Sequence, residues 1–168
     1  MRRLLLAAVV LLSIVLAGAP AQAEGDPGPW KPAPQPVLDY PANTVCAFPV
    51  RAEPIVDEVV FRVLESYPDG KPKLEEYKGK LIDTVTRADT GAVTTVDISG
   101  HAFIHYPPSG GQQWAVSGPV LVGIRPGQGT NIGLWVFDGP AWGIDISPTG
   151  HKTIIGRPAS LNTCDLLG

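Results

Sequence analysis

Between residues 92 and 126, apolar and polar side chains alternate regularly enough to define two strands and the way they pair. The even positions Val96, Ile98, Ala102, Ile104 and Tyr106 are apolar, whereas Thr95, Asp97, Ser99, His101 and His105 occupy the odd ones. After Pro107-Pro108-Ser109-Gly110-Gly111 the even row resumes with Trp114, Val116, Val120, Val122 and Ile124. A period of two marks a strand with one buried face. Folding the chain about Ser109 sets even against even and predicts one long hairpin in which Ile104 faces Trp114. In that register Gly100 meets Gly118, and Pro119 withholds a ladder donor. Both strands weaken at one level, where a bend or bulge is expected.

The same pattern extends to either side. Glu58 to Glu65 is rich in β-branched residues and runs into the turn Tyr67-Pro68-Asp69-Gly70. Helix competes over residues 55–66, but the valines and the turn favour strand. Leu74 to Ala88 reads as a long strand interrupted at Gly79, close to the level of Gly100, and Asp89-Thr90-Gly91 turns it into the central hairpin. Residues 132–137, 142–146 and 152–155 follow as further strands, and a short helical segment after Pro158 carries Cys164. An all-β fold is therefore expected, about seven or eight antiparallel strands in a meander. Such a meander loses its exposed edges by curling into an up-and-down β-barrel or a strongly coiled sheet; a two-sheet β-sandwich is the alternative.

The N-terminal part follows a different logic. Arg2-Arg3, the apolar run Leu4 to Ala17 and the small residues of Ala21-Gln22-Ala23 form a signal peptide over residues 1–23, cleaved after Ala23. A secreted or extracellular protein is implied, with no membrane span after cleavage, because a span needs about 20 apolar residues. Residues 24–44 contain six prolines with little apolar periodicity, the composition of an extended, flexible leader without ladder partners. Residues 45–168 form the single β domain. Cys46 and Cys164 bracket it, and in an exported chain they read as one disulfide closing the whole fold.

Charge narrows the partners. Removing Arg2 and Arg3 leaves 11 basic against 16 acidic side chains, a net charge of −5. This disfavours nucleic acid or an anionic membrane surface as partner.

No motif for catalysis stands out. His101 and His105 have a helical zinc spacing, yet in a strand they lie about 13 Å apart, so no metal site is read, and both are expected on the outer face. His151 sits beside a turn, with Asp138 and Asp145 as its possible carboxylate partners. Asp83 depends on register: a two-residue turn at Thr90-Gly91 places Leu81, Asp83 and Val85 inward, and a turn one residue longer exposes it. A buried carboxylate must be paired, hydrogen-bonded or protonated. Ser99-Gly100-His101 and Ser109-Gly110-Gly111 lack the nucleophile-elbow pattern, and Gly127-Gln128-Gly129 lacks a phosphate-loop lysine. Trp114, Trp135 and Trp142 fill a core or form an aromatic binding face.

Cys46-Ala47-Phe48-Pro49-Val50, the strand ending Asp97-Ile98-Ser99-Gly100 and a second Cys near the C-terminus resemble small secreted β-rich proteins of high-GC Gram-positive bacteria, functionally uncharacterised, which more often carry Gly at the position of Ala47. The resemblance implies a secreted β fold and no activity. The residues favour a non-catalytic binding or cell-envelope module without cofactor. Its partner is a small apolar molecule held inside, or an envelope polymer or protein on an aromatic face. The alternative is a small β-barrel enzyme drawing a histidine and carboxylate from Asp83, His101, His105, Asp138, Asp145 and His151. A ligand-sized interior cavity supports the first, and convergence of such a pair in a cleft the second.

Overall fold

A computed structural model describes residues 27–168; the signal peptide read at residues 1–23 lies outside them. The described chain is all-β, with fourteen strands in three antiparallel sheets and one short helix. The strands are β1 (Lys31–Pro32), β2 (Leu38–Tyr40), β3 (Val50–Asp57), β4 (Val60–Ser66), β5 (Pro72–Lys78), β6 (Leu81–Arg87) and β7 (Val93–Asp97). The second half contributes β8 (His101–His105), β9 (Gln112–Ser117), β10 (Val120–Ile124), β11 (Gly133–Asp138), β12 (Trp142–Ile146), β13 (Lys152–Ile155), β14 (Ala159–Asn162) and α1 (Thr163–Leu166).

A seven-stranded sheet has the order β1-β4-β5-β8-β9-β12-β13. Each of these strands continues, across a bend of a few residues, into one of the other sheets, of order β2-β3-β6-β7 and β10-β11-β14. The fold is thus seven long strands, each bent once, running up and down in chain order. On one side of the bend all seven stay paired; on the other they part between β7 and β10. Strands that turn from one sheet into the next need such corners, supplied by bulges or small residues. The corners fall at residues 33–37, Glu58-Val59, Gly79-Lys80, Ser99-Gly100, Gly118-Pro119, Gly139 to Ala141 and Gly156 to Pro158. Hydrogen bonds stitch neighbouring corners together: Glu58 N to Lys80 O at 2.8 Å, Ile98 N to Leu81 O at 2.9 Å and Gly118 N to Gly139 O at 2.8 Å.

The lower half of the expected hairpin forms in the expected register, with Ile104 opposite Trp114 and His101 opposite Ser117. The upper half does not. Residues 93–97 pair only with β6, and 120–124 with β11. The up-and-down barrel is likewise not formed, since none of the three sheets closes on itself. The arrangement is sandwich-like instead, with the three-stranded sheet in contact with both others. Its Leu134, with Val136, packs against Tyr40, Val50, Val85 and Val96 of the four-stranded sheet. Its Val122, Ile124 and Phe137 pack against Ala102, Ile104, Val116 and Ile144 of the seven-stranded sheet. This explains why successive residues of β11 are buried on both faces.

One further expectation needs correction. The Pro-rich leader is extended but not without partners: Lys31 and Pro32 pair with β4, Leu38 to Tyr40 pair with β3, and Tyr40 is part of the core. Trp30 lies between the Arg62 guanidinium, 4.5 Å from its ring centre, and the Lys78 ammonium, at 4.2 Å. Proline tolerates an edge strand, where one side of the ladder needs no donor. β3 is a strand that no alternation in the sequence announces, with Pro54 in its middle; the register of β3 on β6 shifts between Pro54 and Val56, a bulge that accommodates the missing donor.

Cys46 and Cys164 are joined, with Cα atoms 5.6 Å apart. Asn162 caps α1, its side chain accepting from Cys164 N at 3.2 Å, and the buried Thr163 hydroxyl donates to Leu134 O at 2.9 Å.

Candidate functional site

On the concave side of the bend, between the corner residues and the inner face of the seven-stranded sheet, lies a cleft of about 430 Å³. Its walls include Leu81, Ile98, Ala102, Ile104, Trp114 and Val120, with Tyr77 and Tyr106 among the polar contributors. Alternation puts these side chains there: Tyr77 faces Ala102 and Glu75 faces Ile104 across the β5–β8 ladder. Glu75 therefore shares the inner face, and it is 6% exposed. Its Oε2 accepts hydrogen bonds from the Tyr77 hydroxyl at 2.8 Å and the Tyr106 hydroxyl at 2.7 Å. Burial, reinforced by the bond to Glu75, pushes the Tyr77 phenol up to about 12 and raises Tyr106 as well. Both phenols stay protonated donors at any physiological pH.

Reasoning from sequence misses this trio, although a signal is available. Adjacent residues of a strand point to opposite faces, so the doublet Glu75-Glu76 must place one carboxylate inside in either register. Glu76 takes the outer face and is satisfied there. It accepts from Arg62 Nε at 2.7 Å and bonds His101 Nε2 at 2.8 Å. Burial alone would raise Glu76, but these bonds outweigh it and hold the carboxyl below its ordinary range.

The residues singled out from sequence do not converge in the cleft. His101 and His105 lie on the outer sheet face, His101 on Glu76 and His105 Nδ1 3.1 Å from Gln113 Oε1. His101 and Glu76 are a histidine and carboxylate within reach, yet neither lines this cleft, and Arg62 already neutralises the carboxylate. Asp138 ends β11 and Asp145 is exposed on β12. His151 follows the last turn, its backbone N–H donating to Ser147 Oγ at 3.0 Å. No group of three metal-ligating side chains occurs among the described residues. Trp142 is buried, its ring tilted by 50° against Phe137, which in turn stacks on Trp135. Trp114 lines the cleft, with its indole N–H on Gln112 Oε1 at 2.8 Å.

Asp83 points inward, as the shorter of the two turns requires. The loop actually holds four residues, since Arg87 N bonds Ala92 O. Lengthening the turn by two leaves the face unchanged. Asp83 pairs with Val96, is 5% exposed, and its Oδ1 is buried without a hydrogen-bond partner among the described residues. Burial, and secondarily Asp57, raise its pKa. An acid with a raised folded-state pKa stabilises the fold fully below the unfolded value, about 3.9, and loses that contribution as pH rises through the folded value. The Asp83→Asn variant should therefore gain on the parent between about pH 4 and 7, by about 1–2 kcal/mol. Thermal unfolding of both proteins at the two pH values checks this; a constant difference would mean Asp83 is solvated.

A second cavity of about 370 Å³ shares Trp114 with the cleft and is lined by Tyr40, Arg125, Gln128 and Lys152 as well. Lys152 Nζ donates to Gln128 Oε1 at 3.1 Å. Burial first, then Arg125, lowers the proton affinity of Lys152.

Comparison with known proteins adds no name to this geometry. No family model matches the chain, and neither a curated protein nor a solved structure matches it.

Proposed function

We propose that this chain is an exported, non-catalytic binding protein whose cleft beneath the bend takes a small, largely apolar molecule. The observation that carries the reading is the cleft itself. Its volume, about 430 Å³, falls within the roughly 300–1,000 Å³ of small-molecule sites, and apolar walls with a few convergent polar groups are their usual character. The disulfide suits an oxidising compartment, and no helix among the described residues is long and apolar enough to cross a membrane. The burial of Trp142 and the inward position of Trp114 favour an interior ligand over a polymer lying on an aromatic strip.

Native mass spectrometry of the protein purified from its own culture medium should show a retained small molecule that leaves on denaturation. Ligand-observed NMR with toluene, indole and cyclohexanol should then show binding to the emptied protein. Ala102→Trp, which fills the cleft, should abolish it while keeping the β-sheet circular dichroism; Ala33→Trp, at a less buried wall position, serves if the first variant does not fold. No retained molecule together with no binding from the panel overturns the reading.

A further inference from the structure

The chemistry around Glu75 narrows the class of ligand. A buried carboxylate ordinarily has a cationic partner or is held by several hydrogen bonds. Glu75 accepts two, both at Oε2 and both from tyrosines of the cleft wall. The basic groups around it are committed elsewhere. Arg62 and His101 are on Glu76 at the opposite face, Lys73 pairs with Glu65, and the Lys78 ammonium rests over Trp30. Glu75 thus stands behind the tyrosine wall without an ion-pair partner among the described residues, and the one basic side chain of the cleft lining, the exposed Lys78, is turned to Trp30.

The direction of the two hydrogen bonds matters as much as the charge. Tyr77 and Tyr106 each have a single O–H, and each donates it to Glu75. What these phenols retain for an occupant is lone pairs and electron-rich ring faces. Trp114, also in the wall, likewise commits its N–H to Gln112. At the tyrosine end an anion would meet phenol lone pairs and the like charge of Glu75, donors in the wall being the Gln112 amide and the exposed Lys78 ammonium. A cation would meet the attraction of three aromatic rings and a carboxylate in a low-dielectric surround.

We propose that the cleft of Tyr77, Tyr106 and Trp114, backed by Glu75, selects an organic cation, an alkyl- or arylammonium group with an apolar body. This rests on the cleft being a ligand site, as argued above. The apolar walls at Ile98, Ile104 and Val120 would take the body, and the ammonium would lie at the tyrosine end. A quaternary ammonium needs no hydrogen-bond acceptor, so it tests the effect of charge by itself.

Isothermal titration calorimetry with benzyltrimethylammonium and its neutral carbon isostere neopentylbenzene separates charge from shape. The cation should bind about tenfold more tightly or better, and Glu75→Gln, which keeps the size and an acceptor, should remove that advantage while leaving the isostere unaffected. Equal binding, or a preference for the isostere, overturns the cation inference and leaves the cleft reading standing. Binding of neither probe overturns this inference, and the solvent panel above then decides the cleft separately. If Glu75→Gln does not fold, the two probes on the unaltered protein still decide between charge and shape.

Discussion

Gly79→Ala is expected to cost about 3 kcal/mol or more of folding stability and to lower the melting temperature by about 10 °C. Two independent obstacles meet at this corner. Gly79 has φ 145°, a conformation that L side chains rarely adopt, and a Cβ built there would overlap the Glu58 carbonyl oxygen and press on the Val59 backbone. Those atoms belong to the neighbouring corner, which is itself tied to Lys80 by a backbone bond of 2.8 Å. Neither side has a flexible end to give. Two other glycines separate the contributions. Gly70 has φ 83° with nothing within 4 Å, so its alanine variant should lose only about 1 kcal/mol of backbone preference. Gly100 has no positive φ, but its Cβ would stand 2.5 Å from Pro119 O and 2.8 Å from Val120 Cγ2, so it meets the crowding alone. Urea unfolding should rank the losses Gly70, then Gly100, then Gly79. If Gly79→Ala behaves like Gly70→Ala, the corners are not close-packed and the bend is not what holds the two halves in position.

These corners are partly visible in the sequence, and the reason is local. Gly100 and Gly118 interrupt an otherwise regular alternation at matching distances from Ser109, and the interruption survives any choice of tertiary partner. The register of β8 on β9 is legible for the same reason, because a slip by one residue would expose Ile104 and Trp114 together. What lies beyond the bend is not. Val93 to Asp97 and Val120 to Ile124 present the same alternation whether they pair with each other or with β6 and β11, so local pattern cannot reveal that the sheet parts between them. The contact of the three-stranded sheet with both others is a consequence of that parting, and so is the failure of the barrel to close. Pro54 hides β3 by removing a donor that a bulge excuses. At the site, the histidines attract attention because of their chemistry, whereas Glu75 does not, although its neighbour Glu76 guarantees that one carboxylate of the two turns inward. The inward direction of Asp83 follows from parity once the turn is even; its want of a partner depends on Asp57 and Pro54 of another strand and is not a property of its own segment.

The parting of the upper sheet gives the disulfide its work, and the Cys46→Ala/Cys164→Ala double variant is expected to lose about 4–5 kcal/mol. The bridge spans 118 residues of chain, with Cα atoms 5.6 Å apart, so in the chain-entropy account it restricts the unfolded state close to the maximum for a domain of this size. Its placement adds a local consequence. Cys46 follows β2 of the four-stranded sheet, and Cys164 lies in the helix that follows β14 of the three-stranded one. No ladder joins those sheets. They are held by the apolar cluster around Leu134, Val50 and Val85, by the bridge, and by α1, whose Thr163 bonds Leu134 O and after which Leu167 is buried. Without the bridge, opening should start at this seam rather than across the paired strands of the seven-stranded sheet. Hydrogen exchange on the double variant should show β14 and α1 losing protection before β8 and β9, and urea unfolding should show the midpoint falling. Replacing both cysteines removes the bridge without leaving a reactive thiol, so the comparison is free of mixed disulfides. A loss below about 1 kcal/mol, with exchange unchanged at β14, would mean that apolar packing alone joins the two upper sheets and that the bridge contributes little to their contact.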